Sequence, residues 1–147
     1  MNKLKRIVLV EDNSKDIELT LAALEEHNLA NEVIVLRDGV EAMDYLRRLE
    51  SFADHPPGNP AVVLLDLKMP RMDGLQVLKE MKSDDDLKMI PVVMLTASRE
   101  ECDLIESYRG GVNAYMVKPI DFQQFVDAVK QIGLFWAVLN EPPPGTV

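Results

Sequence analysis

Four stretches of this chain carry apolar residues without interruption, at 7–10, 33–36, 62–65 and 92–95. Each is short and rich in β-branched side chains, and such unbroken runs mark parallel strands covered by helices on both faces. A fifth run at 113–117 is weaker, but Gly110-Gly111 and Pro119 bound it. Helical patterns fill the intervals. Ile17, Leu21 and Leu24 share one face of a helix that Asn13 or Ser14 can cap. Asp38 with Glu41 resembles a capping box, opening a helix that carries Ala42, Leu46 and Leu49. Leu75, Leu78 and Met81 give a third helix. A fourth over 100–108 has only Leu104, Ile105 and Tyr108 as large apolar contacts. Asp121 with Gln124 starts the fifth, whose stripe Phe125, Val129, Ile132 and Trp136 reads as core.

Strict alternation of strand and helix predicts one α/β domain. The fold class expected is a doubly wound, five-stranded parallel sheet in the flavodoxin-like order 2-1-3-4-5, with five helices. The domain is expected over 1–140 and a disordered tail, rich in proline, over 141–147. Residues 51–60 read as a loop before the third strand.

Charge narrows the functions open to such a domain. Against 25 acidic residues stand 16 basic ones, a net charge of −9. A chain this acidic offers no footprint for a phosphate backbone, so no nucleic-acid partner is expected. The balance suits a metal cation or a basic partner surface. No apolar run approaches the roughly eighteen residues that span a bilayer, so no membrane partner is expected. The first strand begins too early to leave room for a signal peptide. The lone cysteine, Cys102, cannot form an internal disulfide. Together these features point to the cytoplasm.

The chemistry lies where the apolar runs stop. Strand one ends in Glu11-Asp12, strand three in Asp66, strand four in Thr96 and strand five in Lys118. Any one of these is ordinary at a strand end. In a parallel sheet, however, all five carboxyl ends point to the same edge, where a doubly wound sheet binds its ligand. In the order 2-1-3-4-5, strands one and three are neighbours, which brings Glu11, Asp12 and Asp66 together. Three carboxylates in one spot repel, and a divalent cation relieves them. Mg²⁺ suits such oxygen ligands. Thr96 can donate to a phosphoryl oxygen and Lys118 supplies a compact positive charge. The set describes an aspartate that accepts a phosphoryl group by in-line attack.

These residues sit in recognisable surroundings. The chain resembles the receiver domain of two-component response regulators over about residues 4–137. "VLVEDN" is similar to the family's first strand with its acidic pair, and "LLDLKMPRMDG" to its phosphoacceptor segment. "PVVMLTAS" resembles the fourth strand with its threonine and small follower, Ala97, and "NAYMVKP" the fifth with its lysine-proline. The resemblance implies Asp66 as phosphoacceptor and Asp12 as metal ligand. It implies Glu11 bound to the metal or to a metal-bound water, with the Lys68 carbonyl completing the site. Thr96 and Lys118 are implied as the groups that hold the phosphoryl group. Tyr115 is implied as an aromatic switch whose ring turns inward when Thr96 is drawn toward phosphate, and the Lys118–Pro119 bond as cis. The loop before strand three, the lack of an output domain and the "FW" late in helix five resemble a narrower subset, the single-domain regulators paired with bacterial phytochromes.

The expected function follows. It is a single-domain response regulator that takes a phosphoryl group from a histidine kinase onto Asp66 and signals by protein–protein interaction. The alternative is a receiver fold used only for docking, without phosphorylation. A flavin- or nucleotide-binding protein of the same architecture needs a Gly-rich or Ser/Thr-rich loop after strand one, and Glu11-Asp12-Asn13-Ser14 has the wrong charge. No external substrate is expected to be turned over: His27 and His55 sit in a helix end and a proline-rich loop, neither placed for base work. Readout is expected at the face of helix four, strand five and helix five, through a downstream target or a homodimer. Phe135 and Trp136 either anchor that dimer or finish the core.

Overall fold

A computed structural model of the chain describes residues 6–25, 33–48, 59–69, 71–97 and 114–131. Five strands are present: β1 (Ile7–Val10), β2 (Val33–Leu36), β3 (Val62–Asp66), β4 (Val92–Thr96) and β5 (Ala114–Val117). Four helices accompany them: α1 (Ser14–Glu25), α2 (Gly39–Arg47), α3 (Gly74–Ser83) and α4 (Phe122–Gln131). The sheet order is β2-β1-β3-β4-β5 and every pairing is parallel. The count of five helices is not met among the described residues. The helix expected over 100–108 lies outside them, as do the loop at 51–58, Ile132, the Phe135-Trp136 pair and the tail at 141–147.

The unbroken apolar runs conceal an alternation of faces. Val8, Val10, Val63, Leu65 and Met94 pack on one side with Ala42, Leu46 and Leu78 of α2 and α3. Ile7, Leu9, Val62, Leu64 and Leu95 face the other side with Ile17 and Leu24 of α1 and Phe125 of α4. Successive strand side chains point to opposite faces, so both must be apolar when helices cover both. Leu64 and Leu65 are fully buried, and cutting either back to alanine costs about 2–5 kcal/mol.

Each described helix opens in the same way. Asn13, Asp38, Asp73 and Asp121 accept the backbone N–H three residues on, from Asp16, Glu41, Gln76 and Gln124, at 2.8–3.0 Å. These caps satisfy amide groups that the first turn leaves unpaired. All four lie in loops that join a strand end to the next helix, so they fix loops at the carboxyl edge. Two glycines bring those loops close. A Cβ on Gly39 would collide with the Met72 carbonyl oxygen, and one on Gly74 with that of Asp66.

Candidate functional site

The strands run one residue beyond the apolar pattern at two places. Asp66 pairs with Leu95 and Thr96 with Val117, so both polar residues are themselves the last of their strands. Ladder hydrogen bonding, not side-chain polarity, decides where a strand ends. Asp66 is held in the sheet, 5% exposed, and aimed at the carboxyl edge.

Three carboxylates meet there. Glu11, Asp12 and Asp66 each offer an oxygen, and these oxygens lie within 4.8 Å of one another. Glu11 is buried, held by the backbone N–H of Asn13 donating to its Oε2 at 3.2 Å, while Asp12 is exposed. The cause is topological, since β1 lies between β2 and β3 and puts the β1 end beside Asp66.

Lys118 reaches into this group from the end of β5, past a cis Lys118–Pro119 bond. Its backbone N–H donates to the Thr96 carbonyl at 2.8 Å, which fixes its root. Its Nζ lies 2.7 Å from Glu11 Oε1, 2.8 Å from Asp66 Oδ1 and 3.1 Å from Asp16 Oδ2. The Glu11 contact is a charge pairing without hydrogen-bond alignment, which leaves the buried Oε1 short of a directed donor. Burial pushes the Asp66 pKa up; the Lys118 hydrogen bond opposes it, the Glu11 charge adds to it, and the net result lies well above the ordinary carboxylate value. Burial works against the Lys118 charge, but Asp66 and Glu11 outweigh it and raise its pKa.

One lysine does not balance three carboxylates. A hard divalent cation fits them: all-oxygen donors, one under-satisfied buried oxygen, and an open cavity of about 190 Å³ above, which Asp12, Lys68 and Ala97 also line. Every residue expected from the sequence is therefore placed at this edge except Tyr115, which stands on β5 opposite Met94 and is 36% exposed. Thr96 is fully buried at the edge and lies outside the cavity lining, where Ala97 stands instead.

Asp16 is the member of the site that no pattern along the chain marks. It occupies the third position of α1, and an acid in the first turn reads as a response to the helix dipole. Nothing local announces a partner 102 residues away.

Comparison with known proteins agrees with this geometry. The sequence profile described as "Response regulator receiver domain" matches residues 7–130. Response regulator Rcp1 of Synechocystis sp. is 41% identical over 135 residues, which is 92% of this chain and 90% of that protein. The solved Mn²⁺-bound form of Rcp1 has a TM-score of 0.74 at 39% identity, covering 96% of this chain and 99% of its own. The bacteriophytochrome response regulator AtBRR gives a TM-score of 0.90 at 59% identity, with 95% and 100% covered. The phosphorylated cyanobacterial phytochrome response regulator RcpA gives 0.75 at 43% identity, with 97% and 100% covered.

Proposed function

The chain belongs to the response regulator receiver domain family, and from that premise we propose that Asp66 is the residue phosphorylated, with Lys118 and Thr96 as the groups that hold the product. The observation that carries this reading is the Asp66 carboxylate, buried at the sheet edge 2.8 Å from the Lys118 ammonium and beside two further acids.

The chain's own groups divide the work. One Asp66 oxygen supplies the electron pair of the new O–P bond. The P–N bond to the imidazole of a phosphorylated histidine kinase breaks, and its pair stays on nitrogen. Lys118 follows the charge as it moves from carboxylate to phosphoryl oxygen, and the Thr96 hydroxyl donates to a second oxygen. Glu11, Asp12 and Asp66, with the Lys68 carbonyl, would hold Mg²⁺, which when bound would neutralise charge on the phosphoryl oxygens. Positioning and electrostatics account for such a transfer, and no external substrate is turned over.

The likeness to bacteriophytochrome and cyanobacterial phytochrome regulators supports a phytochrome-type histidine kinase as the partner. We place the protein in the cytoplasm with that kinase; no described helix is long and apolar enough to cross a membrane. The phosphorylated state is read through Thr96 and Tyr115 at the β5–α4 face, by a downstream protein or a second copy of the chain. Sedimentation before and after phosphorylation tests the second copy: the mass of a monomer in both states rules out the homodimer.

Intact-mass measurement with acetyl phosphate, with and without Mg²⁺, tests the central claim. One phosphoryl group is expected on the wild type only with metal, and none on Asp66→Asn. Labelling that survives the substitution sinks the assignment. No labelling of the wild type, even by its kinase, leaves a docking module.

A further inference from the structure

The Lys118 ammonium has three N–H donors and three carboxylates around it: Glu11, Asp66 and Asp16. Two of these change during the reaction proposed above. Asp66 loses its carboxylate charge when its oxygen is esterified, and Glu11 faces the cation site. Asp16 alone keeps its charge and its place throughout. It stands on α1, whose first turn is fixed by Asn13 Oδ1 accepting the Asp16 N–H at 3.0 Å. Its Oδ2 accepts from Lys118 Nζ at 3.1 Å, with the lysine side chain 16% exposed and the aspartate 31%.

An acid placed only for the helix dipole faces water or returns to its own cap. Asp16 does neither. It ties α1 to the end of β5 across the cavity mouth, and it lines the same cavity as Asp12 and Asp66. We propose that Asp16 is a positioning residue for phosphoryl transfer, holding the Lys118 ammonium beside Asp66 while the negative charge there passes from carboxylate to phosphoryl group. This rests on Asp66 being the acceptor.

Electrostatics alone argues for the opposite sign, which makes the inference testable. Removing a negative charge beside the site favours the approach of an anionic phosphodonor. If Asp16 acts only as a bystander charge, its neutralisation speeds phosphorylation. If it positions Lys118, neutralisation slows the transfer itself, because a long side chain left unanchored no longer sits where charge develops.

The experiment is the rate of Asp66 phosphorylation by acetyl phosphate with saturating Mg²⁺, in wild type, Asp16→Asn, Asp16→Glu and Asp66→Asn. The maximal rate is expected to fall about 3–10-fold in Asp16→Asn while the half-saturating donor concentration stays the same or falls, since a contact made in the transfer step is lost. Asp16→Glu keeps the charge and is expected to recover most of the rate. A maximal rate in Asp16→Asn equal to or above wild type overturns the inference. So does a loss in which half-saturation rises in step and Asp16→Glu recovers nothing, since that marks a structural defect. Labelling that persists in Asp66→Asn sinks the premise that Asp66 is the acceptor, whatever the Asp16 variants do, and so tells the two failures apart.

Discussion

Asp38 and Asp66 are both aspartates at the carboxyl end of an apolar strand, on the same edge of the sheet, and they have opposite environments. Asp38, just after β2, is an N-cap. Its Oδ1 accepts the Glu41 N–H at 2.8 Å, and its Oδ2 accepts from Arg71 Nη2 at 2.7 Å and Nε at 3.1 Å. Burial alone raises its pKa, but the Glu41 amide and the Arg71 guanidinium outweigh it and hold the carboxyl below its ordinary value. Asp66 has Glu11 and Asp12 as neighbours and shares the Lys118 ammonium with Glu11 and Asp16, and its pKa is pushed up. A satisfied carboxylate is a structural part. A crowded one, aimed into an open cavity, is a candidate for chemistry, and here it is the proposed acceptor.

The contrast can be broken most forcefully at Asp66. Asp66→Asn is expected to abolish Mg²⁺-dependent phosphorylation in the mass measurement, while Asp38→Asn still takes up one phosphoryl group. Equal loss in both variants erases the distinction. Next in size comes the close approach that joins the two regions. Gly39 packs against the Met72 backbone, so Gly39→Ala forces the α2 and β3–α3 loops apart and is expected to destabilise the fold by about 1–3 kcal/mol, read from urea unfolding. A smaller effect is expected at the cap. Asp38→Ala should cost about 1 kcal/mol, and Arg71→Ala less, because the arginine is largely exposed.

The smallest effect is a pH dependence that sharpens the comparison. A carboxyl whose folded pKa lies below its unfolded value stabilises the fold above that unfolded value and stops doing so as pH falls through the folded one. Asp38 is such a group, with an ordinary value of 3.8. The gap in urea midpoint between wild type and Asp38→Asn should therefore be full at pH 6 and narrower at pH 3. A gap that widens on acidification contradicts the assignment.

Much of this was legible from local pattern. The runs at 7–10, 33–36, 62–65 and 92–95 are strands in the structure, since unbroken apolar stretches have few other uses in a chain this polar. Asp38 and Asp121 were readable as caps because the cap and its amide are three residues apart. Glu11, Asp12 and Asp66 could be grouped because parallel strands point all their carboxyl ends one way, so that order alone makes neighbours of distant acids. The helix face lining α3 was legible only in part: Leu78 and Met81 are buried, but Val77 takes the place expected of Leu75, which packs at the margin.

The chain's local pattern thus carried the five strands, the helices among the described residues, the strand order and every residue at the carboxyl edge but Asp16. Each of these depends on periodicity within a few residues or on the parallel sense of the sheet. Tertiary structure decided the rest: Asp16 on Lys118 and not on its own cap, Arg71 on Asp38, the burial of Thr96 with Ala97 at the cavity wall, and the face to which each core residue turns. Those outcomes hang on ångström distances between side chains 33 to 102 residues apart, where no repeat or spacing along the chain records which charge will meet which.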